Sequence, residues 1–388
     1  MFKPLDQELM RIRSSGQERR LPYSRSRGFG RVDVAGKSLI DFTSFDYLGL
    51  SNNKRVIKVA QQALESHGIS QSSSRTSAGT LPEVFSAEQR LAKLFGVESA
   101  LFFSSRNQAL LSLMSALVSE GDLVAFDEAA QAPLTDACHL LDLVPASFNQ
   151  NRPDSLDPVL LKSPIVPVCL YADGLSAITG EVFPLEVLAK RITVDKKVHL
   201  VMDESYSLGV VGDRGSGAFE QAAVILPHVS FIGSFGFGCP GFGGYVAGKA
   251  VLIDYIKQNS RAFDVDCPIP VNLAAATEEG INVLELEILT RRRICEQAFR
   301  FRQHLLAADI EVTGSVQSPI VSVFVNSFKS AREIVARIET KGFLVDFVGL
   351  RTIRKECPLL RVVFNASHKQ ADIDLLLGLI IESVERSA

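Results

Sequence analysis

The sequence predicts an α/β fold built on a mostly parallel sheet, and three observations carry that expectation. Short apolar runs at 165–171, 199–202 and 229–233 end at or near an acidic residue or a glycine-rich turn, as strands buried on both faces of a parallel sheet do. Stretches of helical spacing lie among such runs, for example Val56, Val59, Ala60, Ala63 and Leu64, where apolar residues three and four apart share one helix face. The chain of 388 residues is long enough for one large and one smaller domain, each with a core. Parallel sheets place ligand sites at the carboxyl ends of their strands, so Asp203, closing the 199–202 run, is expected to face a crevice.

Composition narrows the class. Hydrophobic residues make up 46% and charged residues 22%, ordinary values for a globular protein. A net charge of −3 provides no global field for nucleic acid or an anionic membrane. Cysteines at 138, 169, 239, 267, 295 and 357 have no Cys-x-x-Cys spacing, and the histidines form no metal-like cluster. A reducing cytoplasm is the expected compartment. No apolar run is long enough for a membrane helix, and residues 1–30 lack a signal-peptide block, so a soluble chain is expected.

The elements follow in order. Residues 1–31 are basic, with Arg19, Arg20, Arg25 and Arg27 prominent; they read as an extended arm, solvated or packed on a partner subunit, or alternatively as a patch for nucleic acid or acidic lipid. Alternation from Val32 to Phe42, broken at Ala35-Gly36, predicts a hairpin. Helices are predicted from Val56 to a stop at Gly68 and over 82–95. Residues 100–103 read as a strand, with Ser104-Ser105 capping a helix to about Val118. The start of that helix is either an ordinary cap or an anion seat, because its N–H groups lack intrahelical partners. A strand is expected over 122–127, and a surface turn with a short helix over 148–163. A long helical region over 270–308 leads to candidate strands at 310–313, 320–325, 343–348 and 360–365, with helices near 329–341 and 370–386. Neither repeats nor low-complexity segments occur.

Several motifs resemble the α-oxoamine synthases, pyridoxal phosphate (PLP) enzymes that condense an amino acid with an acyl-CoA. The central ones are Asp203-Glu204-x-x-Ser207-x-Gly209, then Gly233-Ser234-Phe235, then Gly243-Gly244-Tyr245-Val246-Ala247-Gly248. Thr43-Ser44-Phe45-Asp46-Tyr47-Leu48-Gly49-Leu50 resembles another family motif, with Phe45 where asparagine is usual. Arg75, Gly79 and Thr80 match a glycine-rich loop that reaches the neighbouring subunit's site, making Thr80 a candidate phosphate contact. Asp173 opens a stretch that matches through Pro184-Leu185.

The resemblance implies the type I PLP-dependent transferase fold, a large domain with a seven-stranded sheet and a small C-terminal α/β domain. Residues 1–50 would be an N-terminal arm, 51–285 the large domain and 286–388 the small one. It also implies a dimer and a cofactor site drawn from Thr80, Ser105, Arg106, Asn107, Gln131, Asp173, Asp203, Tyr206 and Ser234, with Arg361 meeting a substrate carboxylate.

The family's chemistry-bearing positions depart together. Its Schiff-base lysine lies six residues before the first glycine of the pair, which here is Phe237, and no lysine occurs between Lys197 and Lys249. Arg106 stands where glycine lets the backbone approach PLP, Gln131 where a histidine stacks on the ring, Tyr206 at another histidine, and Val84 at a third. Asp203 keeps the carboxylate that holds the pyridine nitrogen protonated, unless it now only secures its strand end. Phenylalanine forms no imine and moves no proton, so no catalytic residue is expected and covalent PLP is ruled out at that position. The first expectation is an inactive homologue, a homodimer or the partner of a related subunit. The alternatives are an active acyltransferase of the 8-amino-7-oxononanoate or serine palmitoyltransferase type with noncovalent PLP, and a protein whose crevice binds another anion through Arg106 and Arg361.

Overall fold

The computed structural model describes residues 3–14, 18, 21, 23–28, 30–128, 132–143, 145–161, 168–194, 198–349 and 358–386. Its centre is a seven-stranded sheet. In spatial order the strands are Ser99–Phe103, Gly244–Gly248, Val229–Ser234, Val198–Asp203, Val168–Asp173, Leu123–Asp127 and Pro145–Phe148. Six of them run in one direction, and Gly244–Gly248 is reversed, antiparallel to both neighbours.

Alternation across the sheet divides its side chains between two apolar layers. Leu170, Ala172, Leu200, Met202 and Phe231 join one core with Leu91 and Leu94 of the Pro82–Phe95 helix. Tyr171, Val201, Ile232 and Val246 face the other, against Ala109, Leu110, Leu113 and Met114 of the Arg106–Leu117 helix. The sheet is covered on both sides, which accounts for its unbroken apolar strands.

The sequence-predicted helices form with the expected punctuation. Asn53 caps Lys54–His67 by accepting from Arg55 N at 2.9 Å, and Gly68 ends it at a φ of 77°. Ser105 caps Arg106–Leu117 by accepting from Gln108 N at 3.2 Å. The long helical region divides at Glu287 into Val271–Leu286 and Ile288–Ala307.

Four details differ from expectation. The N-terminal arm is not simply extended: Lys3–Ser14 is a helix and Ser24–Gly28 a strand paired with the predicted hairpin. Strand Pro145–Phe148 is not among the expected elements, only Phe148 falling in the turn expected from 148, because its few residues show little periodicity. The 310–313 strand begins only at Val312. The 343–348 run is split: Phe343–Leu344 pairs parallel with Lys37–Asp41, whereas Asp346–Gly349 joins Pro358–Val363 in a four-stranded C-terminal sheet.

Segment 42–48 connects these layers. Phe42 stacks on His368 with ring centroids 3.6 Å apart. Ala366 N donates to Tyr47 O at 2.7 Å, and the Tyr47 hydroxyl donates to Tyr206 O at 2.9 Å. Among the described residues, no helix is long and apolar enough to cross a membrane, and no group of His, Cys, Asp and Glu is placed to hold a metal ion.

Candidate functional site

The site is built from strand ends. Asp173 and Asp203 occupy matched positions on neighbouring parallel strands, so two carboxylates meet at the carboxyl edge of the sheet. Both are buried, and like charges so placed repel unless a cation lies between them.

Arg106 supplies that cation. As the first residue of the helix covering this face, it is delivered to the strand ends by the Ser105 cap. Its Nε donates to Asp203 Oδ2 at 2.6 Å, and its Nη2 forms an ion pair with the same oxygen. Nη2 also donates to the Tyr171 hydroxyl at 2.7 Å and lies 4.0 Å from Asp173. Tyr171 in turn donates to Asp203 Oδ2, and Ser205 N donates to Oδ1 at 2.9 Å. Burial disfavours a charge on Arg106, but Asp203, Tyr171 and Asp173 outweigh it and hold the guanidinium pKa well above its ordinary value.

The helix start is pressed against the sheet. A Cβ added to Gly244 would lie 2.5 Å from Arg106 Cα and 2.6 Å from Arg106 N. Only glycine on that strand admits the backbone carrying Arg106.

A second group is aromatic and includes Tyr206, three residues after Asp203. Phe237 lies on the loop between Val229–Ser234 and Gly244–Gly248. Its ring stacks on Tyr206 at 4.8 Å and 22° and meets Phe45 at 5.5 Å and 73°. Tyr206 and Phe45 make an edge contact at 4.9 Å. These are ordinary aromatic packing geometries, formed here by half-buried rings.

The remaining predicted residues make contacts within the chain or lie exposed. Arg361, read as a substrate-carboxylate contact, donates to Asp346 through Nη2 at 2.6 Å and Nε at 3.2 Å, and to Ala177 O at 2.9 Å. Its guanidinium carbon lies 5.0 Å over the Phe45 ring. Asp346 on the adjacent strand faces Arg361 in register, so the C-terminal sheet itself provides the carboxylate. With Arg106 paired as well, both arginines of the anion-binding alternative have carboxylate partners within the chain.

Ser234 Oγ donates to the carbonyls of Phe235 and Gly243 at 3.1 and 3.3 Å, and Ser105 Oγ serves the helix cap. Asn107 is exposed. Thr80 is exposed too, its hydroxyl bonded to Arg75 O at 2.9 Å within its own loop. Gln131 lies outside the described residues. The structure thus gathers Arg106, Asp173 and Asp203 in one cluster and Tyr206 with Phe237 in another. Tyr171 was missed, although its position two residues before Asp173 on a strand puts both side chains on one face.

A seven-stranded sheet with one reversed strand, its acidic strand ends and an appended small sheet are the architecture of the PLP-dependent transferases. Residues 37–380 match the family described as aminotransferase class I and II. The chain is 29% identical over 359 residues to an 8-amino-7-oxononanoate synthase of Methylococcus capsulatus, covering 92% of each. A synthase of the same description from Marinobacter nauticus is 30% identical over 349 residues, covering 90% of this chain and 88% of the relative. In fold it superposes on Sphingomonas wittichii serine palmitoyltransferase with a TM-score of 0.90 at 23% identity, covering 100% of this chain and 98% of the other. The Francisella tularensis 8-amino-7-oxononanoate synthase gives a TM-score of 0.78 at 22% identity, over 90% of this chain and 98% of the other. This chain belongs to the α-oxoamine synthase family within the class I and II aminotransferases. The family is PLP-dependent, and its members are acyltransferases.

Proposed function

We propose that this chain is a non-catalytic member of the family, with no covalent PLP, that functions as a homodimer or as the partner of a related subunit. The observation that carries the proposal is the state of Asp203. A carboxylate able to pair with a protonated ring nitrogen is here engaged by Arg106, Tyr171 and the Ser205 N–H. The residues present therefore do not fit PLP: the acceptor is engaged by Arg106, and no lysine occurs from 198 to 248 to tether an aldehyde.

A partnered state is supported by the N-terminal helix, whose Leu5, Leu9 and Met10 are all exposed and lie close in helical spacing. A cytoplasmic setting is supported by the free cysteines at 138, 169, 239, 267 and 295.

The test is to incubate the purified protein with PLP, treat it with borohydride and weigh it, alongside an assay of amino acid and acyl-CoA condensation. The expected result is no pyridoxyl mass increment and no condensation product. A stoichiometric pyridoxyl-lysine adduct accompanied by turnover would overturn the proposal and establish the active-acyltransferase alternative suggested by the relatives' names.

A further inference from the structure

Asp203 ends the central strand of the sheet and is 2% exposed. Carrying a carboxylate to that depth requires a cation and hydrogen-bond donors. In most proteins of this architecture the carboxyl edge of the sheet opens to a ligand. Here the chain itself supplies the cation, and it does so with a planar group whose N–H bonds lie against a carboxylate oxygen. A protonated pyridine ring presents the same feature, an in-plane N–H carrying delocalised positive charge.

The position is also built to stay closed. Gly244 lets the Arg106 backbone sit against the strand, the Ser105 cap fixes the first turn of the helix, and Tyr171 bridges guanidinium and carboxylate.

We propose that Arg106 is a built-in surrogate for a cationic heteroaromatic ligand at Asp203, and that removing its side chain turns the closed seat into a noncovalent site for a protonated pyridine. This inference rests on the reading of the chain as one that holds no covalent PLP, and it names the residue that decides whether the ring position is open.

The probe is pyridoxamine 5′-phosphate, which has no aldehyde and needs no lysine. Binding is followed by intrinsic ligand fluorescence and by the thermal midpoint of the full chain, with inorganic phosphate as the control. Wild-type protein is expected to show no saturable response. Arg106→Gly should melt earlier, because Asp203 loses its cation, and should recover on adding pyridoxamine 5′-phosphate but not phosphate. Its affinity should exceed that of the wild type by at least about tenfold. The double variant Arg106→Gly with Asp203→Asn removes both charges; it should fold even if the single variant does not, and should lose the response to the probe.

Saturable binding by wild-type protein with Arg106 in place would overturn this inference alone, since that binding needs no lysine and leaves the non-catalytic reading intact. A folded Arg106→Gly protein that ignores the probe, or a response that survives in the double variant, would also overturn it. A double variant that fails to fold would assign Arg106 to folding rather than to the seat and would overturn it as well. A pyridoxyl-lysine adduct with turnover, by contrast, bears on the preceding proposal.

Discussion

Glu204, the neighbour of Asp203, makes the stability of this protein depend on pH in an uncommon direction. Its side chain is wholly buried. Oε2 accepts from Ser207 Oγ and from Ala218 N, the latter at 3.0 Å, and Oε1 accepts from Phe219 N at 3.0 Å. The space is tight: a Cβ at Gly174 or Gly217 would come within 2.2 or 2.3 Å of Oε2.

Burial raises the Glu204 pKa from 4.5 to about 7, against the opposing hydrogen bonds from Ser207, Phe219 and Ala218. An acid whose folded pKa lies above its unfolded one contributes stability that is fully present below pH 4.5 and is lost as pH rises through about 7. At about 1.4 kcal/mol per pKa unit the whole effect is about 3 kcal/mol. The perturbation is Glu204→Gln, which keeps the shape but cannot ionise.

The assay is urea unfolding of both proteins at about pH 5 and about pH 8. The variant carries a constant cost of about 1–3 kcal/mol, because an amide NH₂ must face a backbone N–H or the Ser207 hydroxyl. Relative to the variant, the wild type should lose about 2–3 kcal/mol between the two pH values. Parallel pH profiles would refute the reasoning and mean that the carboxylate is ionised at no cost in its pocket.

Two further outcomes are expected. His368 is held neutral between Asn365 N, donating to Nδ1 at 3.2 Å, and Asp41 O, 3.0 Å from Nε2; burial lowers its pKa from 6.5 to about 4. Its contribution is present above pH 6.5 and is lost as pH falls through about 4, so His368→Gln should flatten the acid limb of the stability profile by about 2–3 kcal/mol, read from urea midpoints. Gly244→Ala would drive a methyl group into the Arg106 backbone, where no flexible side chain can yield; a loss of about 3 kcal/mol or more is expected by chemical unfolding, and an unchanged midpoint would show that the helix start can retreat from the sheet.

Much of the architecture was legible because the central strands are apolar without interruption and the helices carry their own caps. Asn53, Ser105 and Gly68 mark ends that can be read from residue type alone. Departures at Phe237 and Arg106 were equally visible, as residues out of keeping with the motifs that the surrounding sequence otherwise resembles. What the sequence could not show is where a long side chain goes. Arg106 opens a helix, which suggests an anion in front of it, yet its partner lies 97 positions later on the central strand. Arg361 similarly reads as a free cation until the neighbouring strand brings Asp346 opposite it. The first pairing arises from how the helix start packs on the sheet edge and the second from strand register, non-local properties with no trace in the spacing of either residue. The division of the 343–348 run has the same origin: its residues suit a strand, but two different sheets compete for them.

That division has a consequence for biosynthesis. Phe343 and Leu344 lie parallel to Ile40 and Asp41, so the hairpin gains its last neighbour only from a segment far downstream in the chain. On the ribosome the hairpin emerges before the strands of the large sheet, and its Lys37–Asp41 edge lacks this neighbour until Phe343–Leu344 follows. Holding the ends together costs little at equilibrium, because closure entropy grows only slowly with loop length. The cost falls on time instead: an exposed strand edge can recruit another nascent chain before its own partner arrives.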